Sequence, residues 1–296
     1  MICYLILHYK NIDETEKCIN SILNITQDSS IVVVDNGSGN HTGEMLQKKY
    51  QDNPKIKVLL LRKNVGFSKG NNYGYEWIKH NLDVKFIVVT NNDVVFNQSD
   101  FETRIVDIYE DTKFDILGPD IFIPKHRDHQ NPLFKNGITI EELNKEIEQY
   151  KYYQRNPKKF IHRLRIHAIK DMLCSHSNII RVMYSKMRGI EKLDYRYSYE
   201  NVGLQGSCLI VSKHFIDGEK KMFTPEPFLY EEEVFLFYKC QEKKYKMLYS
   251  PKLHIRHEEG ASFSFSNKSS IAKIEFMLEH HVKAREMLKE FLNEQE

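Results

Sequence analysis

Phe86-Ile87-Val88-Val89-Thr90-Asn91-Asn92-Asp93-Val94-Val95-Phe96 is the stretch on which the fold turns. A short apolar run rich in β-branched residues ends abruptly in Asn-Asn-Asp, and the chain then turns apolar again. Such a run is the mark of a buried strand. Parallel strands read this way because both faces of their sheet are covered, and their carboxyl ends are where open α/β sheets hold ligands. A carboxylate there, Asp93, can take a hard divalent cation, which in turn can hold a diphosphate. The same string also reads as a plain polar turn with a solvated Asp93, so the flanking chain has to decide.

Working outward, residues 2–9 read as a first strand and 31–34 as a second, ended by Asp35-Asn36-Gly37-Ser38-Gly39. Between them Asp13 is the expected N-cap of a helix that buries Cys18, Ile22 and residues 23–25, with Glu16 three positions on. A third strand is expected at 57–61, then a polar turn over 62–70 and a helix through Asn72, Gly74, Trp77 and Ile78. This alternation predicts right-handed crossovers and a mostly parallel α/β sheet flanked by helices. Every strand here ends in polar residues, so Asp35, Asn64, Asn71 and Asp93 are expected to share one cleft.

Downstream the pattern gives a helix at 101–110 and strands at 116–123 and 206–211. Residues 229–236 look like a helix start with Glu231, Glu232 and Glu233 in the first turn, where the macrodipole favours acids. Two short strands are expected at 245–249 and 251–257, then a turn at Gly260-Ala261-Ser262. Residues 269–291 form an amphipathic helix with Ile271, Ile274, Met277, Leu278, Val282, Met287, Leu288 and Phe291 along one face.

Composition removes several classes. A formal charge of +2 on 296 residues is too balanced for a general nucleic-acid binder. Five cysteines, far apart and with no CxxC pair, read as reduced thiols. The lack of a membrane-length apolar run or a signal-peptide pattern predicts cytoplasmic residence. One stretch departs from the balance. Between 151 and 188 lie Lys151, Arg155, Lys158, Lys159, Arg163, Arg165, Lys170, Arg181, Lys186 and Arg188, against Asp171 as the lone acid. Phe160, Ile161, Leu164, Ile169, Met172 and Leu173 interleave at roughly helical spacing. This is either a solvated helical excursion or an interfacial helix touching the anionic inner face of a membrane.

Four stretches in order now carry a resemblance: Val33-Val34-Asp35-Asn36-Gly37-Ser38; residues 64–74, from Asn64-Val65-Gly66 through Asn71-Asn72-Tyr73-Gly74; Asn91-Asn92-Asp93-Val94; and Tyr230-Glu231-Glu232-Glu233 followed by His257-Glu258-Glu259-Gly260-Ala261-Ser262. Together they resemble the family 2 glycosyltransferases of the GT-A fold, most closely the rhamnosyltransferase-like branch that builds cell-surface polysaccharides such as capsules. The resemblance covers most of residues 1–125 and 200–265. It implies one α/β domain with a nucleotide-sugar-binding half (1–125), a basic, mainly helical insertion (126–200), an acceptor and catalytic half (201–265) and a C-terminal helix (266–296).

It also implies a nucleotide-sugar donor, with UDP or dTDP expected before GDP, a glycan or lipid-linked glycan acceptor, Mn²⁺ or Mg²⁺, and inversion at the sugar's anomeric carbon. Carried over by position, Asp35 would contact the donor base, and His8 and Tyr9 would lie along the nucleotide. Asn64, Gly66 and Asn71 would shape the donor pocket, together with Asn92. Asp93 would be the metal ligand, completed by His257. Glu233 would be the general base, with Glu232 beside it. The chain departs from the family in having Asn91 for the first acid of a strict DXD, Glu rather than Asp at the base, and Phe235 where a further acid often stands.

The residues suit that chemistry. A divalent cation neutralises a diphosphate leaving group, and a carboxylate in reach of an acceptor hydroxyl takes its proton, typically contributing about 10²–10⁴-fold. Two other readings stay open. A sugar nucleotidyltransferase would want a glycine- and lysine-rich phosphate loop after the first strand, where this chain has His8-Tyr9-Lys10-Asn11. The spacing Gly66-x-x-x-Gly70-x-x-x-Gly74 does not match a dinucleotide fingerprint either. A non-catalytic carbohydrate-binding protein of the same fold would tolerate loss of Asp93 and Glu233.

Overall fold

Near-continuous runs of Ile, Val and Leu put three strands at the centre of the molecule: β1 (Ile2–His8), β2 (Ser30–Asp35) and β4 (Phe86–Asn91). The structure is a computed structural model that describes residues 1–26, 28–125, 127–164, 166, 193–259 and 270–294. Around the central three lie β3 (Ile56–Leu60), β5 (Val94–Val95), β6 (Ile116–Ile123), β7 (Asp128–His129), β8 (Tyr199–Glu200), β9 (Cys208–Ser212) and β10 (Met247–His257). The strand order is β3-β2-β1-β4-β9-β6-β10-β5, with β7 on β6 and β8 on β10. β3, β2, β1, β4, β6 and β10 run the same way, and β9 runs against its neighbours β4 and β6. This is the mostly parallel α/β sheet read from the sequence; the short β5, β7 and β8 pair antiparallel at its margin, and β9 is reversed within it, which the residue pattern could not reveal.

Alternation along each strand splits the core into two faces. Tyr4, Ile6, Val33 and Val88 point to the side covered by α1 (Ile12–Ile25), α2 (Thr42–Tyr50) and α4 (Phe101–Thr112). Leu5, Val34 and Ile87 point to the side covered by α3 (Phe67–Asn81), α6 (Lys213–Gly218) and α7 (Glu232–Lys243). α3 lies close to the sheet because Gly74 faces it: a Cβ there would come within 2.3 Å of Leu5 and 2.7 Å of Val34. A smaller outer cluster joins α5 (Ile140–Arg155), α7 and the C-terminal helix α8 (Ser270–Asn293) through Leu143, Ile147, Phe235, Leu288 and Leu292. Among the described residues no helix is long and apolar enough to cross a membrane.

Several elements differ from expectation. Asn11, not Asp13, caps α1: its backbone is extended and its side chain accepts the Glu14 N–H at 3.4 Å, which leaves Asp13 inside the first turn. α2 was not anticipated, because its nine residues bury only Leu46 and Tyr50 among large side chains. The two strands expected around Pro251 are one, β10, whose register on β6 slips between Ser250 and His254. The basic insertion is tied into the sheet at both ends, through β7 and β8. Between them stand α5, with a Thr139–Glu142 capping box, and a helical segment over 157–164. The turn at 260–262 and Arg165, Ile169, Lys170, Asp171, Met172, Leu173, Arg181, Lys186 and Arg188 lie outside the described residues.

Candidate active site

Parallel strands end together, so the register fixes which polar residues meet. His8 is opposite Asp35, Leu7 opposite Asn91, and Thr90 opposite Cys208. The carboxyl edge therefore carries Tyr9, Asp35, Asn91, Asn92 and Asp93, the 206–207 segment and, from β10, His257.

On the β1–β2 side, Asp35 is nearly buried at 5% exposure. It accepts the Ser38 N–H at 3.2 Å and the Ser38 hydroxyl, and so shapes the Gly37–Gly39 turn. His8 has no exposed surface. Its ring nitrogens sit 2.7 Å from Thr15 Oγ1 and 2.9 Å from Thr42 Oγ1, with Asp35 at 3.9 Å. Burial holds its pKa below the usual histidine value, against the pull of Asp35. Its side chain thus lies behind the edge as a support for α1, α2 and Asp35, while Tyr9, next along, is 40% exposed. Asn92 donates to Thr15 Oγ1 at 3.0 Å, fastening the loop after β4 to α1.

The turn before α3 is built on close approaches. Asn64 accepts the Gly66 N–H at 2.8 Å, and Asn36 accepts the Val65 N–H while donating to the Gly66 carbonyl, both at 3.0 Å. Gly66 has φ +89°, and a Cβ on it would lie 2.4 Å from the Phe228 carbonyl oxygen. No other residue type fits there. Asn71 is buried and donates to Phe67, while its Oδ1 has no partner. Its neighbour Asn72, to which the sequence assigns no site role, makes the long-range bonds, to Phe223 and Glu226.

Asp93 and His257 are brought together by β5, which pairs antiparallel with the end of β10 so that Val94 faces His257. The Glu258 N–H donates to the Asp93 carbonyl at 2.9 Å, and His257 Nε2 lies 3.1 Å from Asp93 Oδ1. His257 Nδ1 is 2.8 Å from Gln130 Oε1. Among the described residues no three His, Cys, Asp or Glu side chains gather as a metal-binding group. Asp93 and His257, a carboxylate oxygen and an imidazole nitrogen, would fit a divalent ion that also takes diphosphate, a donor pair better suited to Mn²⁺ than to Mg²⁺.

The acids at the start of α7 diverge. Tyr230 and Glu231 both have positive φ, +72° and +63°, and from this turn Glu231 and Glu233 reach different partners. Glu231 meets Arg285 of α8 at 2.8 Å. Glu233 accepts the Gly206 N–H at 3.2 Å. Glu232 Oε2 is buried without a partner, as is the hydroxyl of Ser207 next to Gly206. Burial pushes the Glu232 carboxyl well above the usual carboxylate range, and the charges of Glu233 and Glu231 add to it. Burial raises Glu233 as well, while its own backbone N–H and that of Gly206 pull it back. Glu231 is also raised by burial, against the opposing charge of Arg285. The triplet is not a solvated helix end: Glu231 is tied to α8, Glu233 to the 206–207 edge, and Glu232 is buried beside them. Neither Gly206 nor Arg285 could be picked from the sequence, since their roles come only from contact across the fold.

With that geometry in place, the model of glycosyl transferase family 2 matches residues 4–185. The chain belongs to this family. The match includes Asp35, the 64–74 turn and Asp93, and ends before Glu233 and His257. Among solved structures, the chain is similar to residues 1–349 of TarS from S. aureus, with TM-score 0.52 and 13% identity over 87% of this chain and 60% of that one. It is also similar to the mannosyltransferase PcManGT from Pyrobaculum calidifontis, solved with GDP-Man and Mn²⁺, with TM-score 0.50 and 10% identity over 92% of this chain and 59% of that one. The chain thus spans about three fifths of the length of either structure. Both likenesses are of fold, and the fold is GT-A. No match was found among curated proteins.

Proposed function

We propose that this protein is an inverting glycosyltransferase. It moves a sugar from a nucleoside-diphosphate sugar, with UDP or dTDP as the nucleotide, to a hydroxyl of a glycan or lipid-linked glycan. A rhamnosyl or hexosyl unit on a cell-surface polysaccharide is the product class the resemblance favours. The observation that carries this reading is the meeting of Asp93 and His257, 164 positions apart, at 3.1 Å on the carboxyl edge of the sheet. Family membership supports it, and the Mn²⁺ in the Pyrobaculum structure is in keeping with it.

In this mechanism Tyr9, Asp35, Asn64, Gly66, Asn71 and Asn92 line the nucleotide side, with His8 holding Asp35 from behind. Asp93 and His257 would hold Mn²⁺ or Mg²⁺, which when bound neutralises the departing diphosphate. Glu233, fixed by the Gly206 N–H, takes the proton of the acceptor hydroxyl. That oxygen bonds to the anomeric carbon as the carbon–phosphate-oxygen bond breaks on the opposite face. The nucleoside diphosphate leaves, and the configuration inverts. Glu232, raised further, keeps a second carboxyl beside the base and limits the negative charge there.

Thermal unfolding with UDP, dTDP and GDP, each with Mn²⁺ and with EDTA, tests the donor half. Ligand at about 100 times its Kd adds roughly 2.7 kcal/mol, a shift of several degrees. One nucleotide is expected to give a metal-dependent shift. No shift with any of the three up to millimolar concentration overturns the reading in favour of a non-catalytic relative.

A further inference from the structure

We propose that Gln130 is a positioning residue that fixes the tautomer of His257 and so prepares the gap between His257 and Asp93 for a divalent cation. This rests on the metal-assisted reading above and adds a residue to it from outside the four stretches that carried the resemblance.

The argument follows hydrogen-bond direction. Gln130 Nε2 lies 3.4 Å from Glu259 Oε1. A carboxylate only accepts, so the amide nitrogen of Gln130 faces Glu259 and its oxygen faces away. That oxygen lies 2.8 Å from His257 Nδ1. It too only accepts, so Nδ1 carries a hydrogen, and of the two tautomers with a single ring hydrogen this contact selects the one whose Nε2 is free to ligate. Nε2 points at Asp93 Oδ1 across 3.1 Å. At that distance either a proton on Nε2 or a divalent ion ligated by both atoms bridges the pair, and the Nδ1–H tautomer is the one that leaves Nε2 to the ion. A histidine oriented by an acceptor on its far nitrogen is the common second layer of metal sites.

The mount is rigid. Gln130 is held by its backbone N–H to the Ile121 carbonyl at 2.9 Å. Its neighbour Asn131 is buried, donates to the Pro119 carbonyl and accepts the Gln205 N–H, both at 2.8 Å. Gln205 leads into Gly206, the donor to Glu233. Two adjacent residues of the insertion thus brace both halves of the candidate site.

The test uses the full chain and two readouts besides activity. Long-range ¹H–¹⁵N correlation of the histidine rings, with His257→Asn as the assignment control, reads the tautomer without metal. Mn²⁺ titration followed by electron paramagnetic resonance, with and without UDP, reads affinity. Wild type is expected to hold hydrogen on Nδ1 of His257. Gln130→Met, similar in size but lacking the acceptor, should lose that preference and bind Mn²⁺ about 10–100-fold more weakly. Gln130→Glu, which restores an acceptor, should recover both. Melting curves of all variants identify any that fail to fold. Hydrogen on Nε2 in the wild type overturns the proposal, as does a Gln130→Met protein with tautomer and affinity unchanged. A wild type that binds no Mn²⁺, while its tautomer still follows residue 130, sinks the metal reading and leaves the positioning of His257 standing.

Discussion

At the scale of single residues, three consecutive glutamates find different surroundings at a turn that passes through Tyr230 and Glu231, both at positive φ. Such backbone is strained for non-glycine residues and persists only where its surroundings enforce it. Here it separates Glu231, bound to Arg285, from Glu233, bound to Gly206. Replacing Glu233 with Gln keeps the size and the acceptor for Gly206 but removes the base. Turnover should fall by about 10²–10⁴-fold while the nucleotide-induced melting shift is retained. Equal loss of both would make Glu233 a binding residue instead. Glu232 allows a pH experiment. Its raised pKa means the folded state holds the proton more tightly than the unfolded chain. The stabilisation is therefore fully present below the unfolded carboxylate pKa and lost as pH rises through the folded one. Glu232→Gln, a permanent mimic of the neutral acid, should raise the melting temperature at pH 8 and give little gain at pH 4. A gain independent of pH would show that Glu232 is not protonated in the folded protein. The acids themselves were legible in the sequence, as were Asp93 and His257. Their division of labour was not, because it depends on partners far along the chain.

At the scale of elements, α8 clamps the turn before α7. Arg285, with 10% of its side chain exposed, reaches Glu231 and Glu146, each at 2.8 Å, and donates to His281 Nδ1 at 2.9 Å. The His281 ring stacks on Tyr230 at 3.6 Å, and the Arg285 guanidinium lies over Tyr150 at 4.2 Å. Removing one partner of a buried pair strands the other charge, at about 3–5 kcal/mol. Arg285→Met should cost that much by denaturant unfolding, and adding Glu231→Gln should restore a good part of it. Additive losses would mean that the two residues are not coupled. Burial and the Arg285 charge lower His281 to about 3. The unfolded chain therefore binds the proton first, and stability from this group falls as pH drops from about 6.5 toward 3. His281→Phe keeps the stack and should flatten the acid side of the stability profile. An unchanged profile would place the acid sensitivity elsewhere. The amphipathic face of α8 was readable from its period. What it packs on was not, since α5 sits in a region that the sequence marked by charge rather than by an apolar stripe.

At the scale of the whole molecule, the mostly parallel sheet and the common edge of its polar strand ends followed from alternation, whereas the reversal of β9 did not. A buried strand shows the same apolar run in either direction, so only its pairing with β4 and β6 reveals it. Charge is the other property that exists only at this scale. The chain as a whole carries +2, yet residues 151–188 hold ten basic side chains and one acid, so the remainder is net acidic. Part of that basic run is engaged within the protein: Lys151 pairs with Glu286, Arg163 donates to Tyr153 and Lys159 to Tyr152. An anionic surface would therefore feel the segment chiefly through long-range attraction, which salt abolishes. Each basic residue near an anionic bilayer is worth about 1 kcal/mol, and raising salt from about 0.1 M to about 1 M shortens the Debye length from roughly 10 Å to roughly 3 Å. If the acceptor is lipid-linked, the protein should sediment with phosphatidylserine vesicles at the lower salt and not at the higher. Neutralising Lys158, Lys159, Arg163 and Arg165 together should weaken that binding by well over tenfold. The melting shift with nucleotide, which depends on the opposite side of the chemistry, should be untouched. Sedimentation indifferent to both salt and the four substitutions would make the segment a solvated excursion and leave the acceptor to be sought among water-soluble glycans.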